Sequence, residues 1–481
     1  MMKAKFTIVP IVLAFSVRAL AAPDPVATKA QVDAILEETF PHLEALYKDI
    51  HSHPELGFQE MRTAALLAKE MRDLGFTVTQ NVGGTGIVAI YRNGSGPVIL
   101  VRTELDALPI EEKTGLPYTS HVQTRWTERP GVMLLPDEPG KSAQPPAAVT
   151  SYVDHACGHD SHMASWVGTA QVLIKLKAQW SGTLMFIGQP AEETLSGAKA
   201  MIADGLYTRF PKPDYAFGAH VGPMPAGSVI LKSGTALAAV DNLEIKFLGR
   251  GGHGAAPSAT IDPIVIGAHF VSDVQTVISR EKDAVSPGVI TVGSFQAGIV
   301  GNIIPDHADL KLTLRSASPD VRAQLLAGVL RTAKASADMT NAPAPEVSRL
   351  SGTGPVINDS QLAAEAARMM QSAFGDKFNL VPANTPSTVM AGDDFSELIT
   401  PGVRSLFFAI GATDERMLAN YKANGQPIPI NHSPYYYPAP EPAIKTSVEV
   451  LSLAIVSVAH AGSPTVNSLS PSARLRKESR A

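Results

Sequence analysis

Cysteine is all but missing from this chain of 481 residues: Cys157 stands alone, which excludes an internal disulfide framework. An excess of positive charge is missing too. Lysine and arginine number 40 against 45 acidic residues, a formal charge of −5, and that balance does not favour nucleic acid. Beyond the N-terminus no segment offers the roughly 20 uninterrupted apolar residues of a spanning helix, so a soluble mature protein with no membrane partner is expected. What the chain has in quantity is apolar residues, 45% against 18% charged, enough for a sizeable globular core.

The N-terminus reads Met-Met-Lys-Ala-Lys, then an apolar stretch from Phe6 to Val17, then Ala19-Leu20-Ala21 before Ala22-Pro23. A basic start, a short apolar run and an A-x-A site describe a cleaved secretory signal peptide over 1–21, hence a secreted or periplasmic protein. Cleavage removes Lys3, Lys5 and Arg18 and moves the formal charge from −5 to −8. In an oxidising compartment a lone thiol is a liability unless it is buried or bound to metal.

Spacing predicts helices over 28–50 and 59–74, then short β-rich runs at 76–81, 86–92 and 97–103. A proline-rich stretch from Arg129 to Ala148 lacks periodicity and reads as a long surface insertion. A helix is expected from Ser161 to Ala178, and a strand over Gly182–Ile187 runs into Gln189-Pro190-Ala191-Glu192-Glu193. A second strand, Asp214 to Ala219, ends at His220. This is α/β order, in which sites gather beyond the carboxyl ends of strands. From about Ser233 to Arg349 the order becomes strand (243–248), helix (262–280), strand (288–295), strand (308–314), helix (319–337), a βαββα unit of ordinary domain size. The α/β pattern resumes with a helix at 360–373, a strand at 404–410 and a helix at 441–459. The expected organisation is therefore a signal peptide (1–21), a catalytic domain in two parts (22–232 and 350–461), an inserted domain (233–349) and a disordered polar tail (462–481).

Cys157 sits in His155-Ala-Cys157-Gly-His159-Asp160-Ser-His162. Read as an extended segment, imidazoles two residues to either side would share its face, and thiolate with imidazole suits zinc and its neighbours. Glu193, His220 and His432 add ligand types at other predicted strand ends. The doublet Glu192-Glu193 allows a division of work, because neighbouring side chains diverge: one carboxylate can hold metal while the other faces the polarised water. Glu104 and Asp106 also follow an apolar strand, where an acid can orient a metal-bound imidazole.

Together these residues resemble the aminoacylase and carboxypeptidase family of metallopeptidases, nearest to its hippurate hydrolase, N-acyl-amino-acid amidohydrolase and indoleacetyl-amino-acid hydrolase branch. The matching segments are HSHPELGFQE at 51–60, RTELDALP at 102–109, HACGHDSHMA at 155–164, QPAEE at 189–193, GAHVGPMPAGSV at 218–229, GRGGHGAAPS at 249–258, NIIPDHADL at 302–310, GDDFSE at 392–397 and NHSP at 431–434. The resemblance implies a zinc-peptidase-like catalytic domain with a central mixed sheet and an inserted dimerisation (lid) domain. It implies two divalent metal ions per subunit, zinc first, with manganese, cobalt or nickel as alternatives. The implied ligands are Cys157, His159, Glu193, His220 and His432, with Glu192 as general base and Asp106 supporting a ligand. His253 matches a residue that polarises the scissile carbonyl, often from the neighbouring subunit of a homodimer; Asn302 and Arg315 match positions that bind the substrate carboxylate.

The sequence departs from that branch in three places. Glu104 stands where aspartate is usual, Asp393 stands where glutamate is usual, and the insertion before His155 is longer. The expected activity is hydrolysis of the amide bond of an N-acyl amino acid or a small peptide by metal-activated water. Two alternatives stay open: a hydrolase using Cys157 as nucleophile with His159 or His155 as base, and a periplasmic metal- or solute-binding protein, which would have no use for Glu192. Tyr435, Tyr436 and Tyr437 could line an aromatic acyl pocket, although a structural role for most of them is the plainer expectation.

Overall fold

Eight strands form one mixed sheet in the order 77–82, 86–93, 182–189, 98–104, 215–225, 404–413, 229–232, 378–381. This computed structural model describes residues 24–126, 149–385, 390–399 and 402–460; the signal peptide, the Arg129–Ala148 insertion and the tail after 461 lie outside them. Val98–Glu104 pairs parallel with Gly182–Gln189 on one side and Tyr215–Pro225 on the other. On the second side pairing stops after Val101↔Phe217. Beyond that point the two strands part, the geometry in which α/β sheets open a crevice for ligands.

Strands such as Val98–Glu104 are buried almost throughout, which is why their sequences are continuous apolar runs rather than alternating ones. One layer above is the helix His159–Lys175, with fourteen buried residues. It packs against the N-terminal helix Pro25–His51 and the helix Pro440–Ala459. Gly168 makes that packing possible: a Cβ there would come within 2.7 Å of Leu43 and 2.8 Å of Val448. The Pro440–Ala459 helix is long and apolar enough to pass as a membrane span by length and composition, but Glu441, Lys445 and Glu449 interrupt it and most of it is buried in this core.

The inserted unit is a separate layer pair with its own core of Leu243, Phe247, Phe270, Leu310, Leu325 and their neighbours. Its antiparallel sheet has the order 288–296, 307–316, 239–248, 346–353, and the helices Pro263–Asp273 and Pro319–Asp338 pack on it. The last strand, Glu346–Thr353, is absent from the sequence reading; it pairs along Ala239–Leu248 and makes the unit βαββαβ. Along His307–Ser316 burial alternates strictly, leaving Arg315 on the other face from the core residues Leu312 and Leu314. Two short strands, Gln123–Trp126 and Val149–Tyr152, pair antiparallel on either side of the insertion.

Candidate active site

The crevice is filled by the turn that carries Cys157. The segment is not extended, as the spacing argument assumed: Ala156 and Cys157 are in a turn, Gly158 is left-handed (φ 88°), and His159 begins the buried helix. Only glycine serves at 158, because a Cβ would meet Val221 at 2.5 Å as well as face an unfavourable φ. The consequence is that Cys157 and His159 reach the site while His155 does not join them. Both nitrogens of His155 are buried without a hydrogen-bond partner, and burial, then the charges of His159 and His51, hold it well below the usual imidazole range.

The remaining predicted ligands converge on this turn. His220 lies inside the strand Tyr215–Pro225 rather than at its end, just beyond the point where pairing with Val98–Glu104 stops. Its Nδ1 donates to Val221 O (2.7 Å), and its Nε2 lies 3.4 Å from Cys157 Sγ. His159 donates from Nδ1 to the carbonyl of Asp106 at 2.8 Å. That leaves Nε2 facing Glu192 and Glu193, each at 3.8 Å. Asp106 thus supports His159 through its backbone oxygen, with its carboxylate Oδ1 3.5 Å from the same Nδ1, while Oδ2 accepts the Glu193 N–H at 2.9 Å. His432 Nε2 is 3.3 Å from Glu193 Oε2. His432 has φ 70°, a conformation costly for a non-glycine residue. Its loop is held by Asn431, whose amide donates to Cys157 O and Val221 O.

Both carboxylates of the doublet reach His159, but their other neighbours differ: Glu193 lies with Cys157 and His432, Glu192 with Asp393 and Asp394. Burial raises Glu192, the charges of Asp393, Glu193 and Asp394 raise it further, and Arg102 opposes them, so it sits well above the usual carboxylate range. Glu193 is pulled to about 2, because the His432 hydrogen bond and the charges of His159 and His432 outweigh burial. Burial followed by the charges of Glu193 and Glu192 pushes the Cys157 thiol well above its ordinary value. That is the opposite of what a cysteine nucleophile needs.

The donor set is one sulfur, three imidazoles and a carboxylate, the mixture that first-row transition metals prefer. His159 Nε2 and Glu193 Oε1 are buried without hydrogen-bond partners, a costly state that bound metal relieves. The residues therefore fit the metal ions that the sequence implies.

Behind the site lies a layer of which the sequence reading singled out Glu104 and Asp393 but not Arg102, Asp394, Gln189 or His162. Arg102, fully buried, binds Glu104, Asp393 (2.7 Å), Asp394 (3.4 Å) and Gln189 (3.0 Å). Glu104 in turn accepts from His162 Nδ1 at 3.0 Å, and His162 Nε2 accepts the N–H of Val221, next to His220. His162 is thus satisfied at both nitrogens. Both unusual acids, Glu104 and Asp393, lie on Arg102, one a methylene longer and the other a methylene shorter. Glu60 accepts from Ala191 N at 2.8 Å and fixes the turn before Glu192. His253 and Asn302 are exposed and Arg315 is half-buried on the inserted sheet; among the described residues no hydrogen bond or ion pair joins them to the cluster.

A model of Peptidase family M20/M25/M40 matches residues 135–451. The chain belongs to this peptidase family. It is 34% identical over 73% of its length, and 83% of the relative's, to the hippurate hydrolase of Campylobacter jejuni. It is 32% identical to thermostable carboxypeptidase 2 of Saccharolobus solfataricus, over 77% of this chain and 85% of that one. Among solved structures, the YXEP protein of Bacillus subtilis, described as a dinuclear metal binding peptidase from the M20 family, matches with a TM-score of 0.66 and 27% identity. That match covers 88% of this chain and 99% of the other. As an M20 family member the chain is a hydrolase of amide or peptide bonds.

Proposed function

We propose that the chain hydrolyses the amide bond of N-acyl amino acids, and of small peptides at their C-terminal residue, with two divalent metals held by Cys157, His159, Glu193, His220 and His432. The observation that carries this reading is the convergence of those five side chains with Glu192 beside them and unpartnered donor atoms between them. Metal ions bound there polarise the scissile carbonyl and make water acidic enough to attack at neutral pH. Glu192 takes the proton of the attacking water and delivers it to the departing amine. Zinc is the metal of choice for this donor set, ahead of manganese, cobalt or nickel.

Substrate recognition falls to the inserted domain. Arg315 has no acidic partner among the described residues, and burial lowers its pKa, so a substrate carboxylate would satisfy it, with Asn302 alongside. His253 accepts from Ala255 N at Nδ1 (3.0 Å); its neutral form then carries the proton on Nε2, free to donate to a carbonyl. Its exposure supports action on the site of a second subunit in a homodimer, with the inserted sheet as dimerisation and lid domain. Export to the periplasm or medium accords with the N-terminal segment and the single cysteine.

The test is a panel of N-acetyl, N-benzoyl and indoleacetyl amino acids beside dipeptides, with the matching amino-acid amides, on metal-loaded protein. Free carboxylates should be turned over and the amides poorly. Equal turnover of the amides would refute carboxylate recognition; no turnover of any N-acyl amino acid or peptide would refute the substrate class.

A further inference from the structure

A second cluster of ligand atoms, made by residues the proposed chemistry leaves unused, lies where the end of the N-terminal helix meets the loop after Asp106. His51, Glu112 and Asp154 are all buried and present one ligand atom each within 4.8 Å of one another. Two of the three are conspicuously unsatisfied. Both oxygens of Asp154, a residue with no exposed surface, lack a hydrogen-bond partner, and so does His51 Nε2. His51 Nε2 is 3.2 Å from Glu112 Oε1, an ion pair when the imidazole is protonated.

The surroundings are built for such a centre. His51 Nδ1 is 2.6 Å from Asp160 Oδ2, so a carboxylate holds one imidazole nitrogen while the other faces the cluster, the usual construction behind a metal-bound histidine. His159 repeats it in the active site, with the Asp106 carbonyl in place of the acid. Glu112 is pinned by Ser120 N at 2.6 Å and by Thr114. Charge is unbalanced: the carboxylates of Asp154, Glu112 and Asp160 surround one imidazole, and among the described residues no lysine or arginine pairs with any of them. Burial pushes the Asp154 carboxyl up to about 8, so without a cation it keeps its proton near neutrality, and a bound cation would displace that proton.

We propose that His51, Glu112 and Asp154 bind a third divalent cation of the zinc and manganese class, separate from the active-site metals and structural in role. It would staple three segments remote in sequence. One of them leads to the active site, since Lys113 N donates to Pro434 O at 2.7 Å, next to the loop of His432.

The test is metal content of the full-length protein after chelation, reloading with zinc or with manganese, and desalting. The wild type should retain one ion more per chain than Asp154→Asn, and Glu193→Gln, which damages the active-site set, should still keep the ion at this cluster. Anomalous diffraction from zinc-loaded wild-type crystals should place a peak between His51, Glu112 and Asp154, which decides the matter even if Asp154→Asn fails to fold. Equal metal content in wild type and Asp154→Asn, or an anomalous map with peaks only at the Cys157 and Glu193 cluster, would overturn the proposal.

Discussion

Glu192 and Glu193 are adjacent in sequence and opposite in surroundings: acids face the first, and histidines and a thiol face the second. Glu192→Gln keeps the size and removes the base, so it should fold, keep its metal and lose on the order of 10²–10⁴-fold in kcat. Glu193→Gln should lose metal first and recover part of its activity in excess metal; turnover and elemental analysis of both variants distinguish the roles. Protons give a further check. In the metal-free protein burial lowers His159, but its hydrogen bond to Asp106 and the charges of Glu104 and Glu193 outweigh this and raise it to about 10, while Cys157 is also raised. His220 is lowered to about 4, chiefly by burial, and holds no proton near neutrality. Metal binding near neutral pH should therefore displace protons from Cys157, from His159 and from His432, which its hydrogen bond to Glu193 also raises. Apparent affinity then rises with pH towards 10 and falls on acidification, which calorimetry in buffers of different ionisation enthalpy measures. Affinity independent of pH between about 6 and 9 would contradict these protonation states.

At the scale of elements, the ends of Val98–Glu104 and Gly182–Gln189 are joined behind the site through Arg102. Arg102→Met removes the one cation from a cluster of buried carboxylates and should cost about 3–5 kcal/mol of stability in chemical denaturation. Glu104→Asp and Asp393→Glu each leave a gap or an overlap on the same guanidinium. The double variant should be less destabilised than the sum of the two singles by about 0.5–3 kcal/mol, the range for coupled neighbours; strict additivity would show that the two changes do not compensate. These elements also mark what the sequence made legible. Apolar runs located the strands, and the order of α/β elements put Glu192 and Glu193 beyond a carboxyl end. The strand Glu346–Thr353 escaped because Ser348, Arg349, Ser351 and Gly352 give it little apolar pattern at a sheet edge. His220 looked terminal because its strand continues through Gly222, Pro223 and Pro225, residues that ordinarily stop one. Arg102 and His162 were missed for another reason: a buried ion network has no periodic signature, and only the fold shows that residues 102, 104 and 393 are neighbours.

Across the whole molecule, the mixed sheet carries two core clusters and the inserted unit has its own; in the proposed reading the first unit carries the metal chemistry and the second grips the substrate. If His253 works on a neighbouring site, the active species is a dimer. Light scattering on the purified enzyme should give twice the chain mass under assay conditions, and a fully active monomer would exclude that arrangement. The most direct measurement of the central claim, amide hydrolysis by metal rather than by the thiol, is turnover of an N-benzoyl amino acid after the metal is stripped by a chelator, with circular dichroism confirming that the fold persists. Activity should vanish with the metal and return when zinc or manganese is restored; turnover that survives in the metal-free protein and is then lost to a thiol-alkylating reagent would contradict it.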